Sequence, residues 1–206
     1  INKNFKVFAD YANISPTYQP SHSHADTFNF IFYFKNKIIV VDPGVSTYEK
    51  NDLRELQRST LYHNTITYDN HNSSEVWGGF RCGKRANILN LKSKPNKVSA
   101  THDGYKHLDC YHNREINLNN NSLIISDFIK EIKNRNKISR IHFSPYVKIN
   151  TFSNYLKINN EIIFSWRGIF KWEIKNYDFS LGFNNTIKAK CWEGVVENKS
   201  KLIFKN

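Results

Sequence analysis

An all-β chain, a large two-sheet antiparallel β-sandwich of about a dozen strands, is the fold the sequence predicts. Three observations carry that expectation. Short β-rich runs separated by Asn, Gly and Asp recur along the whole length, aromatic residues make up 15% of the 206 residues, and a single stretch has helical character. β-branched and aromatic side chains suit a pleated, half-buried surface, and Asn and Gly tolerate the positive φ that reverses it. A chain of this length can bury a core as one domain, 1–206, without disulfides. A closed barrel is the structural alternative.

In chain order, 28–34 and 37–42 read as strands joined by a hairpin turn at Lys35-Asn36. The one helical stretch is 48–59, where Glu49, Lys50, Asp52, Arg54, Glu55 and Arg58 surround Leu53 and Leu56, the pattern of a short surface helix. Strands are expected at 62–68, 85–91, 98–102, 109–118, 122–130, 138–143, 147–152, 155–158, 161–166, 171–176, 186–193 and 201–204. Asn119-Asn120-Asn121 and Asn159-Asn160 stand where hairpins turn. No repeat, low-complexity tract or flexible linker divides the chain.

The formal charge of +12, from 30 Lys+Arg against 18 Asp+Glu, favours an anionic partner. The cations are spread along the chain with no RNP-like or zinc-finger spacing, which argues against nucleic acid and leaves an anionic glycan or a plainly solvated surface. No run approaches the roughly 18 apolar residues of a membrane span. Cys82, Cys110 and Cys191 form no metal pattern and cannot all pair with one another. The chain starts at Ile1 and contains no Met, so it reads as a piece of a longer protein.

Chemistry concentrates in Ser21-His22-Ser23-His24-Ala25-Asp26. On an extended backbone both histidines point to one side, as a metal ion or a proton-transfer site requires. Asp42 closes the second strand before Pro43-Gly44, and His63 precedes Asn64 in the 62–68 run. Neutral imidazoles with one carboxylate suit zinc or another divalent metal and leave a coordination position open. Two polar residues at a strand entrance are the plainer reading of His22 and His24. A cupin site is excluded because Thr27, Phe28 and Asn29 stand where its Glu belongs. Asp26 is a candidate partner orienting a histidine, Trp77 beside Gly78-Gly79 a candidate sugar-stacking residue, and Arg114 and His142 are read as internal hydrogen-bonders.

These blocks together carry a resemblance. His22-Ser23-His24-Ala25-Asp26, Lys37-Ile38-Ile39-Val40-Val41-Asp42-Pro43-Gly44, Tyr48 and 58–66 resemble the signature of the heparinase II/III-like family in its C-terminal β-sandwich domain. Tyr111-His112-Asn113-Arg114, 124–127, 141–145 and 177–183 continue the likeness in order over nearly the whole chain. The resemblance implies a polysaccharide lyase that cleaves an acidic, uronate-containing glycan by β-elimination. It assigns His22 as the catalytic histidine, His24, Asp42 and His63 as the zinc-binding positions, and an N-terminal α/α-toroid, absent here, as the other wall of the cleft. Arg58 and Asn64 are candidate substrate-binding residues, with bracing of the sandwich as their alternative. A bacterial periplasm or cell envelope is the implied location. A non-catalytic glycan-binding or structural sandwich is the second reading, and a nucleic-acid-binding sandwich the third.

Overall fold

The structure, a computed structural model, describes residues 1–2, 4–16 and 18–206. Fifteen strands are described: β1 Phe5–Ala9, β2 Phe30–Phe34, β3 Lys37–Val40, β4 Ile66–Tyr68, β5 Val76–Trp77, β6 Arg81–Cys82, β7 Ile88–Lys94, β8 Lys97–His102, β9 Cys110–Asn119, β10 Ser122–Glu131, β11 Lys137–His142, β12 Ile149–Thr151, β13 Tyr155–Ile158, β14 Ile162–Gly182 and β15 Asn185–Lys205. One α-helix, α1 Asp52–Arg58, follows β3, so the chain is the antiparallel sandwich that its strand pattern implies. The main sheet has ten strands, in the order β12-β13-β14-β15-β10-β9-β8-β7, with β11 on β15 and β4 on β11. A three-stranded sheet, β1-β2-β3, covers it, and β5-β6 form a separate hairpin.

The small sheet follows directly from its residues. Lys35 and Asn36 adopt φ of 47° and 63°, the positive values of a two-residue hairpin, and they set Phe34 opposite Lys37. Alternation then sends Phe30, Phe32 and Phe34 inward, where they meet Phe5 of β1 and Leu123, Ile125, Phe164, Trp192 and Phe204 of the main sheet. Each fully buried aromatic contributes roughly 1.5–3 kcal/mol.

Four expectations from the sequence are corrected. β1 was not anticipated. The runs 161–166 and 171–176 belong to one strand of 21 residues, as do 186–193 and 201–204. That hairpin bends near Gly168, whose φ of +68° and approach to the Lys199 carbonyl exclude a side chain. β15 changes partner there: Ile138–His142 pair with residues 191–195 and Ser122–Phe128 with 199–205. The 62–68 run forms strand only from Ile66, because Thr60–Tyr62 make a 3-10 turn, so His63 lies in a connection rather than a strand. Finally, α1 is shorter than 48–59 and inverted. Its buried side chains are Arg54, Gln57 and Arg58, while Leu53 and Leu56 face outward.

The inner face of the main sheet carries a buried polar chain. The Arg114 guanidinium donates to both oxygens of Asp127 at 2.7 and 3.0 Å and to the carbonyls of Phe28 and Asn64 at 3.0 and 2.6 Å. The Gly104 amide donates to Nδ1 of His102, so His102 carries its proton on Nε2 and gives it to Nδ1 of His112 at 3.1 Å. His112 Nε2–H in turn donates to Asp127 Oδ1 at 2.7 Å. Arg114 and His142 are thus interior hydrogen-bonders, as the sequence suggests.

Burial raises the Asp127 pKa, but the Arg114 charge and the His112 hydrogen bond outweigh it and leave the carboxyl below the usual carboxylate range. Burial also holds His102 well below the ordinary histidine value and lowers His112. All three folded pKa values are depressed. The histidine contributions are therefore complete above the unfolded value of about 6.5, and that of Asp127 above about 3.9; each is lost as pH falls. Urea unfolding at pH 7 and pH 5 is expected to show lower stability at pH 5, with a limiting slope of about 1.4 kcal/mol per pH unit for each histidine. His102→Gln, which takes up no proton, should flatten that dependence; an unchanged slope contradicts the assignment.

Candidate active-site cleft

Residues 21–26 form a turn and an irregular segment rather than the extended strand entrance expected from the spacing. The segment is fixed by the helix beside it. Arg58, fully buried at the end of α1, donates from Nε to the Ser23 carbonyl at 2.9 Å, and the Ala25 amide donates to the Arg58 carbonyl at 2.8 Å. Thr60 Oγ1 donates to the Ala25 carbonyl at 2.7 Å. Ser23 is buried between the two histidines, which leaves His22 exposed and His24 half-buried. Both histidines line one open cleft of about 350 Å³ together with Asp10, Ser15, Asp26 and Asp42.

His22 stands at the rim in an aromatic setting. Its ring lies 5.8 Å from Tyr48 and 5.8 Å from Phe80, edge to face with both. The Arg54 guanidinium sits 5.1 and 5.5 Å from those two rings, donating from Nε to the Gly79 carbonyl. Phe80 and Arg54 are parts of the rim that sequence reasoning missed; the inverted polar face of α1 hid Arg54 among surface charges.

His24, Asp42 and His63 are neighbours. His63 Nδ1 is 2.9 Å from Asp42 Oδ2, and the His24 and His63 rings are 5.3 Å apart. Asp42 also accepts from Asn29 Nδ2 at 2.5 Å and from the Gly44 amide at 3.0 Å. Burial raises its pKa, yet His63 and the Gly44 amide overcome that and hold the carboxyl below its ordinary range. Burial, then the neighbouring His63, pushes His24 down to about 3, so its imidazole is neutral with a free lone pair. His63 is raised: burial lowers it, but Asp42 prevails. Asp26 is pushed up to about 6, chiefly by burial. Among the described residues its carboxyl hydrogen-bonds neither histidine.

Whether these residues fit a divalent ion rests on three observations. Among the described residues, no three His, Cys, Asp or Glu side chains converge into a metal-holding group. Against that, Nε2 of His63 is buried with no hydrogen-bond partner, which costs about 1–3 kcal/mol unless something occupies it. The donor chemistry, two imidazoles and a carboxylate already orienting one of them, also suits zinc. The residue types fit the ion; the side chains are not drawn together around one point, and the orphaned Nε2 lies across the ring from the Nδ1 that Asp42 holds.

Asn64 and Arg58 both serve the interior. Asn64 is fully buried: its amide donates to Asn29 Oδ1 at 2.9 Å, Nδ2 to the carbonyls of Phe30 and Val41 at 2.9 and 2.7 Å, and Oδ1 accepts from the His142 amide at 2.7 Å. Arg58 adds contacts from Nη2 to the Arg81 carbonyl at 3.0 Å and from Nη1 to that of Trp77 at 3.4 Å. Each binds loops that carry the cleft, which is the bracing alternative stated for both. Trp77 lies on β5, 44% exposed, and the three cysteines are free.

Comparison with known proteins gives these features a context. Solved structures that share the fold include three heparinase or heparan sulfate lyase chains. One, heparinase III from the BT4657 gene, has a TM-score of 0.66 and 15% identity over 99% of this chain and 35% of that one. The heparan sulfate lyase HepC from Pedobacter heparinus has a TM-score of 0.69 and 15% identity over 100% and 36%. A further heparinase III structure has a TM-score of 0.67 and 14% identity over 99% and 35%. The chain thus spans about a third of the length of these structures. A search of curated proteins finds no match. The sequence profile of the heparinase II/III-like C-terminal domain matches residues 1–190, and the chain belongs to that family.

Proposed function

We propose that this chain is the β-sandwich half of a polysaccharide lyase that cleaves an acidic, uronate-containing glycan by β-elimination. The observation that carries the reading is the cleft itself, where an exposed His22 on an aromatic rim shares one opening with His24 and Asp42. In the reaction a base takes the proton on the carbon beside the uronate carboxyl. The C–O bond to the 4-linked oxygen breaks, a C=C bond forms, and the leaving oxygen gains a proton. His22 is exposed enough to reach a sugar, and its imidazole is a group that can take or give a proton. The Arg54 guanidinium, held near the rim rings, adds positive charge where the substrate carboxylate would be neutralised.

A divalent ion, zinc by donor type, is assigned to His24, Asp42 and His63. When bound it would supply a fixed positive charge beside the sugar. Asp42 orients His63, and Arg58 and Asn64 hold the loops that present the other groups.

The chain's coverage of about a third of its structural relatives leaves room for a second wall of the cleft. We assign that wall to an N-terminal α/α-toroid of the parent protein, and place the parent in a bacterial periplasm or envelope. Exposed Leu53, Leu56 and Leu61, beside the rim on and after α1, are apolar groups that such a domain would cover.

The test uses the full-length parent. His22→Ala should lower turnover of an acidic polysaccharide by about 10²-fold or more while metal content stays constant. His24→Ala should lose one equivalent of zinc by elemental analysis. Turnover unaffected by His22→Ala sinks the catalytic assignment and leaves a non-catalytic glycan-binding or structural sandwich; equal zinc in both proteins removes the metal site.

A further inference from the structure

A second basic site lies on the outer face of the main sheet. Along β9 and β10 the side chains of His112, Arg114 and Asp127 point inward, so Asn113, Glu115, Ser126 and Phe128 point the other way, away from the interior. With Arg167 and Gly168 of β14 and Lys199 and Lys201 of β15 they line a recess of about 490 Å³. The bend at Gly168 opens this recess. There the ladder shifts register between Arg167 and Ile169, and β15 leaves β11 for β10.

Its cations are the charges left over, because the two carboxylates that also line it, Glu115 and Asp127, are held by Lys97 and Arg114. Arg167 stands directly opposite Lys201, and Lys201 opposite Ser126. Lys199 stands opposite Phe128, with Nζ 5.7 Å from the ring centroid. Like charges facing each other across a ladder destabilise it. Among the described residues, no carboxylate pairs with Arg167, Lys199 or Lys201, and the nearby Glu115 is taken by Lys97 at 2.8 Å. Phe128, 42% exposed, supplies an apolar platform amid these cations, and Asn113 and Ser126 add neutral polar groups.

We propose that this recess is an accessory binding site for an acidic glycan. A sugar ring stacks on Phe128 while its sulfate or carboxylate substituents pair with Arg167, Lys199 and Lys201. The identity of the ligand rests on the acidic-glycan reading of the cleft; the location does not. Such a site holds a second stretch of polymer on the face away from the cleft, which raises the local concentration of chain without adding to the chemistry.

Lysine footprinting tests the proposal without relying on turnover, so a cleft that lacks lyase activity leaves the result intact. The protein is acetylated with and without a heparin-derived hexasaccharide, an unsulfated oligouronate, or duplex DNA of matched charge. Modification is then read at each lysine by mass spectrometry. Either oligosaccharide, or both, should slow labelling of Lys199 and Lys201 by about fivefold or more while Lys92, Lys94 and Lys148 label at their free rates. The arm that protects tells sulfate from carboxylate recognition. Phe128→Ala, which keeps the charge and alters a half-exposed side chain, should abolish the protection with the circular dichroism spectrum unchanged. Three outcomes overturn the site: no protection by either oligosaccharide, equal protection of Lys92, Lys94 and Lys148, or protection by DNA that matches the glycan and survives Phe128→Ala.

Discussion

The guanidinium of Arg114 is the constraint on which the rest depends. A cation buried this completely is tolerated only if its charge has a counter-ion and its N–H groups find acceptors, since the effective penalty for an uncompensated ion is several kcal/mol. Asp127 supplies the charge and accepts two of the hydrogen bonds, and the carbonyls of Phe28 and Asn64 accept two more. Those carbonyls belong to segments far apart in sequence, one entering β2 and one leading to β4. A single side chain from the main sheet therefore sets where both segments lie. Phe28 takes a φ of 68° in meeting it, a conformation that a large aromatic adopts only when its surroundings demand it.

Asn64 passes that constraint to the cleft. Its amide and side chain reach Asn29, Phe30, Val41 and His142, joining the edge of the small sheet to the last residue of β11. Asn29 and His63 flank this hub and both bond Asp42. Arg58 performs the same service from the other side by fixing the Ser23 carbonyl. His22 and His24 are thus presented by loops, but loops whose backbone groups are held by buried side chains. The arrangement separates roles by depth, with His63 enclosed, His24 half-buried and His22 exposed on the rim.

Much of this was legible in the sequence where local chemistry and tertiary structure agree. Lys35-Asn36 turns as its residue types suggest, the long alternating strands β9 and β10 fall where alternation puts them, and the His22-to-His63 blocks carry the family resemblance. The rest depended on long-range partners. α1 shows its leucines to solvent because backbone carbonyls of Ser23, Trp77, Gly79 and Arg81 demand Arg54 and Arg58, and no periodicity records that demand. His63 leaves its expected strand for a similar reason, since Asn64 is tied to three other segments at once, at 29–30, 41 and 142. The long β14–β15 hairpin resembles four short strands in the sequence because Gly168 and the register shifts mimic turns. Asn29 gave no signal, being one Asn among many.

The central claim is that the buried hub of Arg114 and Asn64, rather than local propensity, holds the cleft in shape. Hydrogen exchange of Asn64→Ala against the wild type tests it directly. The predicted result is loss of protection confined to 23–30, 41–44 and 63–66, with the β14–β15 hairpin as slow to exchange as before. Unchanged protection in the cleft segments, or a uniform loss across the whole sandwich, contradicts the account.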